Sequence, residues 1–186
     1  MADEYRDVMQ GYGRAEHFAK IEAYEVQRTN HFEIVIDLPK LEGFEDAGTH
    51  LRMSTKSIQA PKVSAEPIPL KHGNDTIKVA AAPTFEDLTI TVYDTLGVDQ
   101  LGLIQAWFNK VFDKDTRLMG RVKDYKFNGT LYMYSPDGQT IRAWDLVGIW
   151  PKGFGAANDF SFDSSEAQNV TLDLSVDYYY EKVLQK

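Results

Sequence analysis

The chain has 186 residues, of which 43% are hydrophobic and 12% aromatic, which suffices for one packed domain and argues against a disordered chain. Its formal net charge of −8 argues against tight nucleic-acid binding, which depends on Lys and Arg to neutralise phosphates. The absence of cysteine excludes disulfides, thiolate nucleophiles and Cys-based metal sites.

Nothing in the sequence points to a membrane. No stretch approaches the ~20 apolar residues that a membrane-spanning helix needs. The acidic start MADEYRDVMQ lacks the basic and apolar regions of a secretory signal. We therefore expect a protein that is made and kept in a cytosol-like compartment, with no membrane partner.

Residues 1–30 are charged and only weakly periodic, so we interpret them as an N-terminal arm. A short helix is possible over Ala15–Ala23, although its apolar residues are too sparse for a full apolar face. The arm could contact another chain, or it could be a loose terminus.

Strands are expected from His31 onward. Alternation predicts the first strand, which Pro39 ends, and its apolar members are Phe32, Ile34, Ile36 and Leu38. A second strand is expected over Thr49–Ile58. Prolines then break up the segment 61–82, where a turn at 71–75 joins two short extended pieces into a projecting hairpin.

The middle of the chain predicts a strand followed by a helix. Leu88–Tyr93 alternates three aliphatic residues with Thr89, Thr91 and Tyr93. Asp94 and Thr95 are residue types that favour a helix N-cap. The helix is expected over Val98–Phe112, with Trp107 beside an apolar stripe made of Leu101, Ile104, Phe108, Val111 and Phe112.

The second half is again β-structure. Strands over Tyr125–Tyr134 and Gln139–Trp150 flank a Ser-Pro-Asp-Gly turn, and Pro151 is expected to end the second of them. A final strand alternates from 169 to 180. Its apolar face is expected to carry Val170, Leu172, Leu174, Val176, Tyr178 and Tyr180, and the other face is polar.

These elements predict a mainly β fold: one β-barrel or sandwich domain of about seven or eight strands over residues 31–181, with one flanking α-helix. Residues 182–186 are expected to form a C-terminal tail.

The sequence offers no catalytic or metal-binding constellation. The four histidines are scattered and complete no metal motif, and no nucleophile elbow or phosphate-binding loop is present. The carboxylates Glu86, Asp87, Asp159 and Asp163 lack the spacing of a cation loop, and solvated loop acids are the simpler interpretation. We therefore predict no enzyme activity, no cofactor and no metal.

Three strings resemble the contractile, T-even-like family of phage tail tube proteins. The segment 84–92, TFEDLTITV, is similar to a strand of that family, and Ile149-Trp150-Pro151 resembles its apolar-Trp-Pro corner. The segments 160–166 and 170–178 are similar to the family's last loop and C-terminal strand. Order and spacing agree from about Phe32 to Glu181.

This resemblance implies a structural virion protein whose hexameric rings stack into the inner tube of a phage tail. It implies a fold shared with type VI secretion tube proteins, and the expected partners are further copies, the tail sheath, the baseplate, the tail terminator and a tape measure protein. DNA would pass through the lumen without specific binding, and assembly would take place in the host cytoplasm. A tube subunit of a DNA-free injection device remains an alternative, and a ligand-binding or enzymatic barrel is a remote one.

Two surfaces are candidates for roles in a tube, one as a contact between subunits and one as the lining of the lumen. The hairpin should contact a neighbouring subunit, chiefly in the next ring, unless it folds back on its own barrel; its candidate residues are Ile68, Leu70, His72, Asn74, Ile77 and Val79. The lumen should be lined by a polar strand face, unless that face meets the sheath outside; its candidates are Thr171, Asp173, Ser175 and Asp177, with Thr89 and Thr91 as weaker ones.

Overall fold

A computed structural model describes residues 27–163 and 165–182 of the protein. The predicted helix over Ala15–Ala23 and the end of the tail lie outside these residues, so the boundaries of the arm and the tail stay predictions. The elements in chain order are β1 (Phe32–Ile36), α1 (Ala47–Ser54), β2 (Thr55–Ile58), β3 (Val63–Ser64), β4 (Pro67–His72), β5 (Asp75–Ala80), β6 (Thr84–Phe85), β7 (Leu88–Tyr93), α2 (Gln100–Val111), α3 (Val122–Tyr125), β8 (Phe127–Tyr134), β9 (Thr140–Ala156), β10 (Asn169–Ser175) and β11 (Tyr178–Lys182).

A seven-stranded antiparallel sheet forms most of the domain. Its order is β1-β8-β9-β10-β7-β2, and β11 pairs with β9 as well. Two small two-stranded sheets, β3–β6 and β4–β5, are not hydrogen-bonded to it. The mainly β, single-domain prediction is confirmed. Of the two predicted architectures, barrel or sandwich, a closed barrel is not formed, because the end strands β1 and β2 do not pair with each other and the sheet stays open.

Strand β9 is long. It continues through Pro151, the residue at which the sequence analysis expected the strand to end. Its first half pairs with β8 and β11, and its second half pairs with β10. The register against β10 shifts between Asp173 and Leu174, so that Lys152 is an extra residue in β9. A bulge of this kind tolerates a proline inside a sheet.

The predicted final strand is divided in two. Alternation holds through β10, where Val170, Leu172 and Leu174 are buried. It changes phase after Val176, so that Tyr179 is buried while Tyr178 and Tyr180 are exposed. The prediction that both exposed tyrosines face the core was therefore wrong, because β11 starts a new register against β9.

Helix α2 covers one face of the sheet. Leu103, Ile104 and Trp107 are fully buried against the strands, whereas Phe108 is only partly buried. The apolar stripe therefore lies about one residue away from the predicted one. Asp99, rather than Asp94 or Thr95, caps the helix, since its carboxylate accepts a 2.7 Å hydrogen bond from the amide of Gly102.

Helix α1 corrects the predicted strand over Thr49–Ile58, of which only the second half is strand. Its buried residues are Ala47, Leu51 and Ser54, which recur at helical spacing. The hydroxyl of Ser54 donates a 2.9 Å hydrogen bond to the carbonyl of His50, so a buried polar group is satisfied within the helix. Among the described residues no helix is both long and apolar enough to cross a membrane.

Candidate assembly surfaces

The sheet has a core face and a polar face, and the polar face collects three of the predicted lumen residues. Thr171 lies opposite Thr91, and Asp173 lies opposite Thr89. The Thr89 hydroxyl donates a 2.8 Å hydrogen bond to a carboxylate oxygen of Asp173. The alternation of β7 and β10 thus puts small polar side chains, together with Ser175, on one continuous patch.

The neighbouring strand β9 places glycines, which have no side chain, beside this patch. Gly155 lies opposite Thr171 and Gly153 lies opposite Asp173. A Cβ atom at Gly155 would meet no heavy atom within 4 Å, and one at Gly153 would meet only the Asp173 carboxylate at 3.7 Å. Space therefore remains above the strand, and we call this surface the polar face: Thr89, Thr91, Thr171, Asp173 and Ser175.

An ion pair closes one end of the polar face. The Lys152 ammonium lies 2.7 Å from a carboxylate oxygen of Asp87, and both side chains are substantially exposed. Burial raises the pKa of Asp87, but hydrogen bonds from Lys152 and Ser175 outweigh it and hold that pKa below its ordinary value. The sequence analysis interpreted Asp87 as a solvated loop acid, whereas the structure gives it the ammonium of Lys152 as a partner.

Asp177, the fourth predicted lumen residue, does not share this environment. Its carboxylate oxygens lie 2.6 and 2.7 Å from the Lys126 ammonium, in the connection between β10 and β11. It also packs over Gly148, whose φ of +71° and lack of room favour glycine. Asp177 therefore ties the connection between β10 and β11 to β9 and to the residue before β8, and no local pattern in the sequence indicated this role.

The hairpin of β4 and β5 projects from the domain, with every residue of both strands exposed. Cross-strand pairing joins Ile68 to Val79 and Leu70 to Ile77. These four residues lie on one side of the ribbon, and each exposes between 40% and 56% of its surface. An isolated two-stranded ribbon is only marginally stable in water. Its exposed apolar side is typical of a surface that contacts another chain.

His72 and Asn74 belong to the tip of the hairpin. His72 pairs with Asp75, and the two residues between them, Gly73 and Asn74, form the turn. Gly73 has a φ of +63°, the conformation that tight hairpin turns require at their first central position. Both predicted tip residues are exposed. The exposed hairpin therefore does not match the alternative in which it folds back on its own domain.

The ends of the sheet are open to a further strand. Among the described residues β1 pairs only with β8, and β2 pairs only with β7. An open edge leaves backbone N–H and C=O groups free to bond a strand from another chain. Over residues 27–163 and 165–182 no group of three or more His, Asp or Glu side chains could hold a metal ion.

The chain matches a known family over most of its length. The T4-like virus tail tube protein gp19 family matches residues 28–180. The tail tube protein gp19 of Enterobacteria phage T4 is 24% identical over 160 residues, which cover 85% of this chain and 93% of the relative.

Solved structures share the fold at lower identity. A chain of the PVC sheath–tube complex, from an extracellular contractile injection system in its extended state, has a TM-score of 0.63 at 13% identity, over 92% of this chain and 99% of that one. A chain of the anti-feeding prophage baseplate has a TM-score of 0.61 at 12% identity, over 85% of this chain and 97% of that one.

Proposed function

The chain belongs to the T4-like virus tail tube protein family, as its sequence motifs predicted, and we propose that its copies form hexameric rings that stack into the inner tube of a contractile phage tail. The observation that carries this proposal is the family match over residues 28–180, which includes the hairpin and all of the sheet except the last two residues of β11. The chain is a tail tube protein, and its proposed task is mechanical rather than catalytic.

Open edges and an exposed hairpin support assembly into rings and stacks. Free strand edges on β1 and β2 can pair with neighbouring copies, and the apolar side of the hairpin can be buried against a subunit of the next ring. A contact between two different surfaces, repeated around an axis, closes a ring and leaves the ring faces free to stack. The likeness in fold to a chain of a six-fold symmetrised baseplate supports the hexamer.

The proposed partners follow from the same assembly. The tail sheath surrounds the tube, the baseplate starts it, the terminator ends it, and a tape measure protein occupies the lumen during assembly in the host cytoplasm. The likeness in fold to a chain of a sheath–tube complex supports a sheath partner. DNA passes through the lumen without specific binding, since an acidic wall repels phosphates and offers no counterion-releasing contacts.

The polar face is the proposed lining of the lumen. Its residues come from the central strands β7 and β10, and only Asp173 among them is charged. A surface of hydroxyls, glycines and carboxylates has no cationic group at its centre that would hold DNA. Lys152 lies at its end and is neutralised by Asp87.

A DNA-free injection device is the second candidate, because a chain of an extracellular contractile injection system shares the fold with a TM-score of 0.63. The two candidates predict the same tube and differ in cargo. Nucleic acid inside particles purified from the source organism would support the phage tail, and particles without it would support the injection device.

Assembly of the isolated protein tests the proposal. We expect a species of the monomer's mass, 21.1 kDa, at low concentration, and rings or tubes when the protein is concentrated or given a baseplate as nucleus. Size-exclusion chromatography with light scattering measures the transition. A strict monomer at every concentration, with and without the nucleus, would contradict the proposed function.

A further inference from the structure

The two ends of helix α2 lie in regions of opposite charge. At its start, the segments 94–99 and 157–163 flank the beginning of β10, because the amide of Asp94 donates a 3.0 Å hydrogen bond to the carbonyl of Gln168 and the amide of Ala157 donates a 2.8 Å hydrogen bond to the carbonyl of Asn169. We call these two segments the acidic end. Their charged residues are Asp94, Asp99, Asp159 and Asp163, with no Lys, Arg or His.

At the other end of α2 the chain folds back on itself. The amide of Gly120 donates a 2.9 Å hydrogen bond to the carbonyl of Val111, the last residue of the helix. We call residues 110–123 the basic end. Its basic residues are Lys110, Lys114, Arg117, Arg121 and Lys123, against two acids, Asp113 and Asp115.

Within the described part of the chain, most charges of the basic end, and two carboxylates of the acidic end, have no partner in an ion pair or a helix cap. Among the described residues no ion pair involves Lys114, Arg117, Arg121 or Lys123, nor Asp159 or Asp163. Asp113 is occupied within its own turn, where hydrogen bonds from the amides of Asp115 and Thr116, at 2.9 and 3.3 Å, lower its pKa. Asp113 therefore stays ionised, and the basic end carries five positive and two negative charges, an excess of positive charge.

The helix dipole explains only part of this pattern. Negative side chains stabilise a helix start and positive ones a helix end, but the effect fades within one turn. It accounts for Asp99 and Lys110. It does not account for Asp159 and Asp163 in a separate loop, or for Arg117 and Arg121, which lie beyond the helix.

Both ends also expose large apolar side chains beside their charges. Leu96 and Phe162 are fully exposed at the acidic end, and Phe160 is 87% exposed. The basic end exposes more than half of Leu118, Met119 and Val122. Apolar anchors with charged surroundings are typical of protein–protein contacts.

We propose that the basic end of one copy of this chain docks on the acidic end of the next copy, in a head-to-tail contact. One chain carries both complementary surfaces, so a second copy satisfies the charge and the apolar anchors of each. Helix α2, with 12 residues and a length of about 18 Å, keeps the two ends apart within one chain. Such a contact is heterologous and propagates from copy to copy. It rests on the proposed function, for which it names a pair of contacting surfaces.

Cross-linking of single-cysteine variants tests this contact directly, because the protein has no cysteine of its own. Leu118→Cys and tagged Phe162→Cys are purified separately, mixed at a concentration that permits assembly, and treated with a short bis-maleimide. We expect a cross-linked dimer containing one copy of each variant, and little product from either variant alone. Asp137→Cys, in the β8–β9 turn and outside both ends, replaces Leu118→Cys in the control mixture and should give little product.

The outcomes separate this contact from the proposed function. Tubes without the mixed cross-link would overturn the contact and leave the tube proposal standing, as would each variant cross-linking chiefly to itself. The mixed cross-link without rings or tubes would support the contact and contradict the tube. Neither cross-link nor assembly would overturn both.

Charge reversal supplies an independent measurement. Arg117→Glu with Arg121→Glu in one copy, or Asp159→Lys with Asp163→Lys in the other, should each lower the mixed cross-link roughly tenfold by setting like charges together. Combining both reversed partners should restore it. A yield that stays low in the doubly reversed mixture, with both variants folded by circular dichroism, would contradict the proposed pairing.

Discussion

Removal of the hairpin tip, Leu70–Asp75, is expected to abolish tube growth while leaving the subunit folded. Every residue of β4 and β5 is exposed, and the hairpin contributes nothing to the hydrophobic core. The far-ultraviolet circular dichroism spectrum should therefore keep its β character. Electron microscopy of concentrated or nucleated protein should find isolated rings or smaller species. Long tubes built from the deleted chain would show that the hairpin makes no essential contact between rings.

Substitutions on the two sides of the hairpin sharpen this test. Burying an apolar side chain contributes about 1 kcal/mol or more, so loss of the four-residue apolar side would weaken association on the order of a thousandfold. Leu70→Ser with Ile77→Ser removes one cross-strand pair of that side and should give a large part of the loss. Lys71→Ser with Thr76→Ser changes the adjacent pair on the opposite side, and should leave tube growth nearly unchanged.

Reversing one charge on the polar face is expected to obstruct DNA passage without preventing assembly. Asp173→Lys replaces the only charged residue of that face, so each ring would exchange a circle of carboxylates for a circle of ammonium groups. Cations inside a narrow channel bind DNA phosphates and release counterions, which should slow ejection severely and in a salt-dependent manner. Ejection of labelled DNA from particles carrying the variant measures the effect.

Two further variants serve as controls for the assignment of the polar face to the lumen. Glu42→Lys carries the same charge change in an exposed turn beside helix α2, on the covered side of the sheet, and should not affect ejection. Asp177→Lys should instead lower thermal stability, because it would set two cations together at the Lys126 pair. Normal ejection with defective sheath polymerisation in Asp173→Lys would assign the polar face to the outer wall.

The sequence predicted those elements whose local pattern agrees with their final environment. Leu88–Tyr93 alternates cleanly and forms β7 with those bounds. The Ser-Pro-Asp-Gly turn forms as expected, with Gly138 at a φ of +84°. The hairpin at 67–80 was also predictable, because prolines and a Gly-Asn turn leave few other conformations.

Other elements depend on contacts that the local sequence does not display. Helix α1 contains threonine and glycine and lacks a side-chain cap, so its helical spacing of Ala47, Leu51 and Ser54 was the only signal for it. Strand β9 continues through Pro151 because a bulge against β10 absorbs the proline. Asp177 leaves the predicted lumen strip because Lys126, far away in sequence, holds it in an ion pair.

The assembly surfaces were predictable to different degrees. The alternation of apolar and polar residues along β7 and β10 indicated the polar face, because this pattern is visible in the sequence of each strand by itself. The acidic end was not predicted, because its two segments are distant in sequence and only the fold brings them to one end of α2. The basic end is one continuous segment after the helix, and its charges were not singled out in the sequence. The sequence could not decide between a barrel and a sandwich, because the pairing of end strands is a property of the whole sheet.

Cryo-electron microscopy of tubes assembled from the purified protein would show the proposed assembly itself. We expect stacked hexameric rings, with the polar face of β7 and β10 lining the bore and the hairpin of each subunit contacting the next ring. Particles without a hollow stacked-ring structure, or a tube whose bore is lined by helix α2 instead, would contradict it.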